Sequence, residues 1–311
     1  MAFIHETVLL EATVDAIQPR DGGRYIDATL GGGGHTRLLL ERSAPTGCVL
    51  AFDQDTTAIE NARVTLADMA FRLQTVHANF AHIEQEATNR GFQQVDGILF
   101  DLGVSSPQFD VAERGFSYRQ DGPLDMRMDR RQRMTAETFV NEASVETLTN
   151  VFFRYGEEKF SRAIARKIVE AREVSRITST VVLADLIKAA IPAAARRSGP
   201  HPARRVFQAI RIAVNDELAV LQTGIEGAFS LLNQGGRLAV ISFHSLEDRI
   251  VKQTFRDFAT GCICPPELPI CTCGRTPRGR LVSRKPIAPT EEEQTNNPRA
   301  RSAKLRVIEK L

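Results

Sequence analysis

The chain has 311 residues, 42% of them hydrophobic and 25% charged, which excludes disorder, collagen and coiled coil and suits one large domain or two ordinary ones. The formal charge of +2 hides a split: residues 1 to 101 carry 7 basic and 14 acidic side chains, net −7, and residues 102 to 311 carry 33 and 24, net +9, so only the second part could grip a polyanion. No apolar run approaches the ~20 residues of a bilayer span and Met1-Ala-Phe-Ile-His-Glu has no basic leader, so the sequence reads as cytoplasmic, with no membrane contact.

In chain order, Tyr25-Ile-Asp-Ala-Thr-Leu predicts a first buried strand, followed by four glycines and an amphipathic helix from about His35. Cys48–Asp53 predicts a second strand, Thr57–Met69 a helix, Leu73–Asn79 a third strand, Ala81–Arg90 a third helix and Val95–Asp101 a fourth strand. Strict alternation of strand and helix implies right-handed crossovers and a parallel sheet. The rhythm breaks over 102–135, and Ala136–Ala195 reads as several helices without a strand. Within it Phe160, Ile164 and Ile168 recur every four residues. A loop rich in Pro and Arg, Ile191–Arg205, leads to one long helix over Val206–Leu232, stopped by Gly235-Gly236. Arg237–His244 then predicts a strand, and Leu281–Pro286 and Ala303–Glu309 predict two more. One strand near the end of the sheet is expected to be antiparallel.

The loop Asp27-Ala-Thr-Leu-Gly31-Gly-Gly-Gly-His35 lies between the first strand and its helix, where glycines let a ligand approach main-chain N–H groups. It is neither a dinucleotide fingerprint, since Thr36 or Arg37 stands where the third glycine belongs, nor a P-loop, since it lacks Gly-Lys-Ser/Thr. Asp53, at the end of the second strand, can accept from both hydroxyls of a ribose; the competing reading is a helix N-cap in Asp53-Gln-Asp-Thr-Thr. Together these favour a nucleoside-containing ligand without a pyrophosphate, and S-adenosylmethionine is such a ligand. The fourth strand opens into Asp101-Leu-Gly-Val-Ser-Ser-Pro-Gln-Phe-Asp110, whose Ser106-Pro107-Gln108-Phe109 is similar to the Asp/Asn/Ser-Pro-Pro-aromatic tetrapeptide of exocyclic-amine methyltransferases, with Gln108 at the second proline. The competing reading is a Ser-Pro turn with an Asp cap.

His244 ends a strand and points toward the same crevice, while Ser245-Leu-Glu-Asp248 reads first as a capping box, with Glu247 and Asp248 structural. Arg127, in Asp125-Met-Arg-Met-Asp129, could meet a phosphate or base, or sit in a salt-bridged loop. Four of the five cysteines, Cys262, Cys264, Cys271 and Cys273, fall within twelve residues, and a structural zinc site and reduced thiols both fit; no metal is assigned to the reaction. Residues 270 to 306 hold nine basic and three acidic side chains, net +6, and 33 of the chain's 40 basic residues are arginine, suited to forked phosphate contacts.

The ordered blocks His5-Glu-Thr-Val-Leu-Leu, Gly32-Gly-Gly-His35, Asp101-Leu-Gly-Val-Ser-Ser-Pro-Gln108, Glu113-Arg-Gly-Phe-Ser117, Asp121-Gly-Pro-Leu-Asp-Met-Arg-Met-Asp129, Tyr155-Gly-Glu-Glu, Ile241-Ser-Phe-His-Ser-Leu-Glu-Asp-Arg249 and Asn297-Pro-Arg-Ala-Arg-Ser302 span nearly the whole chain and resemble the RsmH (MraW) family of ribosomal RNA small-subunit methyltransferases. The resemblance implies an α/β fold, a Rossmann-like class I sheet with an inserted, mainly helical domain: residues 1–107 and 206–311 form the methyltransferase domain and 108–205 the substrate-recognition insert. It implies methyl transfer from S-adenosylmethionine to the N4 amine of a cytidine in the decoding region of 16S rRNA. Cofactor contacts then fall on Gly33, Gly34, His35, Asp53, Phe80, Asp101 and Gln108. Asp101, Ser106 and the Pro107 carbonyl are hypothetical amine-orienting groups. The expected partner is 16S rRNA within the small subunit, and a homodimer is allowed. The alternatives are an amine methyltransferase acting on DNA and a non-catalytic RNA-binding assembly factor.

Overall fold

A computed structural model describes residues 7–197, 201–265 and 270–311; the His5-Glu pair lies outside the described residues. The chain divides into two compact units, residues 1–103 with 218–311, and 104–217.

The first unit is built on seven strands: β1 Arg24–Asp27, β2 Cys48–Asp53, β3 Leu73–His77, β4 Val95–Asp101, β5 Leu232–Ser242, β6 Gly279–Leu281 and β7 Lys304–Lys310. They lie in the order β3-β2-β1-β4-β5-β7-β6. β1 to β5 pair in parallel, and β7 runs against both β5 and β6. This is the doubly wound class I sheet with its expected antiparallel strand. Successive residues of the central strands enter two different cores. Ile26, Leu50, Phe52, Ile98, Phe100, Leu238 and Val240 face one, and Tyr25, Val49, Ala51, Leu99, Ala239 and Ile241 the other. Burial on both faces explains why these strands read as unbroken apolar runs rather than as alternating ones.

β2 and β4 coincide with the predicted strands, and β7 begins one residue late. The expected strand at 281–286 forms only as Gly279–Leu281; Pro286 has no N–H for a ladder, and contact resumes as a single bridge between Ile287 and Leu305. The expected helix 57–69 is an α-helix, Thr56–Thr65, capped by Asp55, and then a 3-10 turn, Ala67–Arg72.

The second unit is helical. Its helices Ala136–Glu142, Val145–Gly156, Ser161–Val174, Thr180–Ala190 and Ala203–Asn215 surround a core containing Phe152, Ile164, Ile168, Leu183, Val206 and Ile210. Thr135, Ser144 and Ser179 cap three of them by accepting from the N–H of Thr138, Thr147 and Val182. Phe160 precedes its helix as N-cap rather than lying inside it.

The single helix expected over 206–232 is two. Asp216 adopts φ 51°, ψ 29°, the left-handed region, and ends Ala203–Asn215 before Glu217–Leu231 begins. Arg211 brackets the break with two 2.7 Å bonds to the Glu217 carboxylate. The chain therefore leaves the helical unit at Asp216, not at the Pro- and Arg-rich loop. Asp216→Val should cost about 1–2 kcal/mol, because a β-branched residue is strained in this conformation, and Asp216→Gly should cost nothing. Equilibrium denaturation of the two variants checks this; equal midpoints would show that the break is not held by the left-handed turn.

Candidate active site

The site lies where β1, β2 and β4 end at their carboxyl edge, each in an aspartate. In a parallel sheet this edge faces the ligand crevice. Asp27 is fully buried; its Oδ2 accepts from Thr36 Oγ1 at 2.7 Å and its Oδ1 from Thr29 N at 3.0 Å. Asp53 holds the glycine loop: Oδ2 accepts from Gly31 N and Oδ1 from Asp55 N, both at 2.8 Å. Thr29 Oγ1 accepts from Asp101 N at 2.6 Å, and Leu30 N donates to Phe52 O at 2.8 Å, so the loop is tied to both neighbouring strands.

Gly31 and Gly33 have φ of 50° and 82°, which favour glycine. Gly34 is a glycine for a different reason: a Cβ there would stand 2.0 Å from Thr7 Oγ1. His35, 3% exposed, lies in the first turn of the helix Gly34–Arg42 with Nδ1 3.7 Å from Asp101 Oδ2. Asp101 Oδ1 is buried and has no hydrogen-bond partner among the described residues, although 24% of the side chain remains accessible.

Crowding acids into a dry edge disfavours their charged forms. Burial, against the bonds from Thr36 and Thr29 and with the help of Asp53, pushes Asp27 up to about 6. Burial also pushes Asp53 up to about 6, against the N–H groups of Asp55 and Gly31. Asp101 is raised well above the usual carboxylate range by burial, then by the charges of Asp27 and Glu247. A cationic ligand entering here would find three carboxylates that gain from its charge.

Phe80 opens the 3-10 turn Phe80–His82 and meets Phe100 edge to face, ring centres 5.4 Å apart. Gly224 makes room for it, since a Cβ there would stand 2.6 Å from the ring. The capping box of the helix Ser245–Ala259 forms one residue earlier than expected, between His244 and Glu247 rather than Ser245 and Asp248; Glu247, 2% exposed, also accepts from Phe243 N at 2.8 Å. Asp248 is held by Arg306 at 2.7 Å and Lys304 at 3.2 Å.

In the second unit, Pro107 and Gln108 belong to the short helix Ser106–Asp110; the Ser106 side chain lies outside the described residues. Gln108 Oε1 accepts from Ser105 N at 3.1 Å, closing a capping box. The Pro107 carbonyl accepts from Val111 N at 3.1 Å, leaving one lone pair for any amine. Arg127 is the salt-bridged residue of the two readings: it bonds Asp125 through Nε and a terminal nitrogen at 2.7 and 3.0 Å, and the carbonyl of Gln132 at 2.8 Å.

Sequence reasoning missed Asp27 and Thr29. The signal was an acid closing an apolar strand just before a glycine loop, in the same position relative to β1 as Asp53 and Asp101 hold to β2 and β4.

The MraW methylase family profile matches residues 2–311. The chain is 53% identical over its full length to the ribosomal RNA small subunit methyltransferase H of Brevibacillus brevis, 99% of which is covered. It is 54% identical over 99% of its length to the protein of the same name from a Paenibacillus species, covered completely. The counterpart from Symbiobacterium thermophilum is 53% identical, with 100% of this chain and 98% of that protein aligned. Agreement of this depth along the whole length shows that the chain belongs to the MraW methylase family.

Proposed function

We propose that this chain methylates the N4 exocyclic amine of a cytidine in the decoding region of 16S rRNA, using S-adenosylmethionine, in the cytoplasm and on the small ribosomal subunit. The observation that carries the cofactor reading is Asp53. Its oxygens accept from Gly31 N and Asp55 N, the Gln54 N–H adds a third bond, and a carboxylate has about four acceptor sites, which leaves capacity for a ribose hydroxyl. The residues fit the cofactor in two further respects. Gly31 and Gly33 leave a main-chain cradle without Cβ atoms at the helix N-terminus, and Asp101 Oδ1 is a buried acceptor awaiting a donor. Gly33, Gly34, His35, Phe80 and Gln108 complete the proposed cofactor set.

The cofactor supplies an already activated methyl group on a sulfonium. The remaining task for the protein is positioning. An exocyclic amine delocalises its lone pair into the ring, and acceptors holding its hydrogens aim that lone pair at the methyl. Asp101 has an unused acceptor for this role; Ser106 and the second lone pair of Pro107 O are the other proposed acceptors. For RNA, Arg162 and Arg166 stand exposed four residues apart on the helix Ser161–Val174, and Arg284 and Lys285 are exposed on the C-terminal basic strip.

The test is methyl transfer from labelled S-adenosylmethionine to 30S particles, naked 16S rRNA and cytosine-containing DNA. Label in the particles is expected. Label in DNA alone would replace this reading by a DNA amine methyltransferase, and no label anywhere would favour an assembly factor.

A further inference from the structure

Four sulfurs meet on the loop between the helix Ser245–Ala259 and β6, on residues the proposed methyl transfer does not use. Cys262 Sγ lies 3.4 Å from Cys271 Sγ and 3.8 Å from Cys273 Sγ, and Cys271 Sγ lies 3.5 Å from Cys273 Sγ. With Cys264 included, all four fall within 4.8 Å of one another. A disulfide would hold two of them at about 2.05 Å, so these are separate thiols. Four thiolates each about 2.3 Å from a zinc ion form a tetrahedron with edges of about 3.8 Å. The three close pairs already lie near that edge length.

Hydrogen bonds also gather around the sulfurs. Cys264 N donates to Cys262 Sγ at 3.4 Å. Cys264 Sγ lies 3.7 Å from Thr272 Oγ1, so the two Cys-x-Cys knuckles meet through a hydroxyl as well as through their sulfurs.

The described part of the segment has no apolar core of its own. Among the described residues from 259 to 278 none belongs to an apolar core, and Ile263 and Ile270 are 61% and 75% exposed. Its ends are tied down by Arg278 N to Phe258 O at 2.8 Å and Arg275 to Asp257 O at 2.6 Å. A chain stretch too short for a core is ordinarily stapled by a disulfide or a metal.

We propose that Cys262, Cys264, Cys271 and Cys273 bind one structural zinc ion. Binding replaces the four thiol protons by Zn2+, and those protons pass to solvent. All four positions of the tetrahedron are filled by protein, so the ion has no open site for chemistry. Its work is to fix the path of the loop that leads into Arg278, Arg280, Arg284 and Lys285.

The test is metal analysis of the full chain, expressed without a metal-binding tag in zinc-supplemented medium. One zinc per chain is expected, lost in the double variant Cys262→Ser/Cys271→Ser and kept in Cys48→Ser. Should the double variant misfold, cobalt added to the reduced, metal-stripped wild-type chain gives an independent answer: intense thiolate-to-cobalt charge transfer with tetrahedral d–d bands is expected. Limited trypsin digestion should cut after Arg275 and Arg278 at least ~10-fold faster in the stripped protein. Less than about a tenth of a zinc per chain together with a weak octahedral cobalt spectrum would overturn the proposal, as would zinc retained by a folded double variant. None of these readouts depends on methyl transfer.

Discussion

Asp53→Ala is expected to weaken S-adenosylmethionine binding by about 10- to 100-fold. The carboxylate is assigned a ribose hydroxyl, and a hydrogen bond to a charged acceptor is worth about 1.5–3 kcal/mol, against 1.4 kcal/mol for a factor of ten in affinity. The loss should depend on pH. Asp53 is raised to about 6, chiefly by burial, so wild-type affinity should climb as pH rises through 6, and the climb should be smaller in the variant, where Asp27 alone still titrates near 6. Asp53 also receives Gly31 N and Asp55 N, so alanine strips the glycine loop of its anchor as well. Asp53→Asn separates the effects: one amide oxygen still accepts, and binding should fall less. Calorimetric affinity unchanged in Asp53→Ala would reject the ribose assignment.

The second large effect is predicted for Asp101→Asn, and its two readouts move in opposite directions. Turnover should fall about 100-fold, the usual consequence of losing alignment at a reacting centre. Stability should rise. Burial, Asp27 and Glu247 raise the Asp101 carboxyl well above its unfolded value, so the folded state binds this proton more tightly than the unfolded state does. The contribution of such a group to stability is fully present below the unfolded value near 3.8 and is lost as pH rises through the folded one. Asparagine removes that loss. The melting temperature of the variant should therefore exceed wild type by at least about 2 °C at pH 8 and match it near pH 4, with about 1 kcal/mol corresponding to 2–4 °C. A variant that loses turnover and stability together would show that Asp101 is a structural residue. Opposed effects are expected of a group held in an unfavourable state for function.

The fold was legible where local signals agree. β2 is apolar over Val49–Phe52 and β4 over Ile98–Phe100 because both faces are covered, and each ends at an acid that breaks the run, so these ends can be read residue by residue. The break at Asp216 was invisible for the opposite reason. Apolar periodicity continues through Val206, Ile210, Val214, Leu221 and Ile225, all buried, and a single left-handed aspartate leaves no mark in a pattern of this kind. Because these residues divide between two cores, the break decides which unit each half serves.

In the site, the glycine loop and the strand-end position of Asp53 and Asp101 were legible because strand ends and glycines are local. The mutual repulsion of Asp27, Asp53 and Asp101 was not, since it arises only when three strands distant in sequence become neighbours. Arg127 shows the reverse case: it looks available in sequence, yet it is spent on Asp125 and Gln132.

The most direct measurement is nucleoside analysis by mass spectrometry of 16S rRNA recovered from 30S particles after incubation with the protein and S-adenosylmethionine bearing a deuterated methyl group. The label is expected in N4-methylcytidine at one position of the decoding region, and Asp53→Ala is expected to abolish it at limiting cofactor. Label in C5-methylcytidine, in another nucleoside or in no product would contradict this.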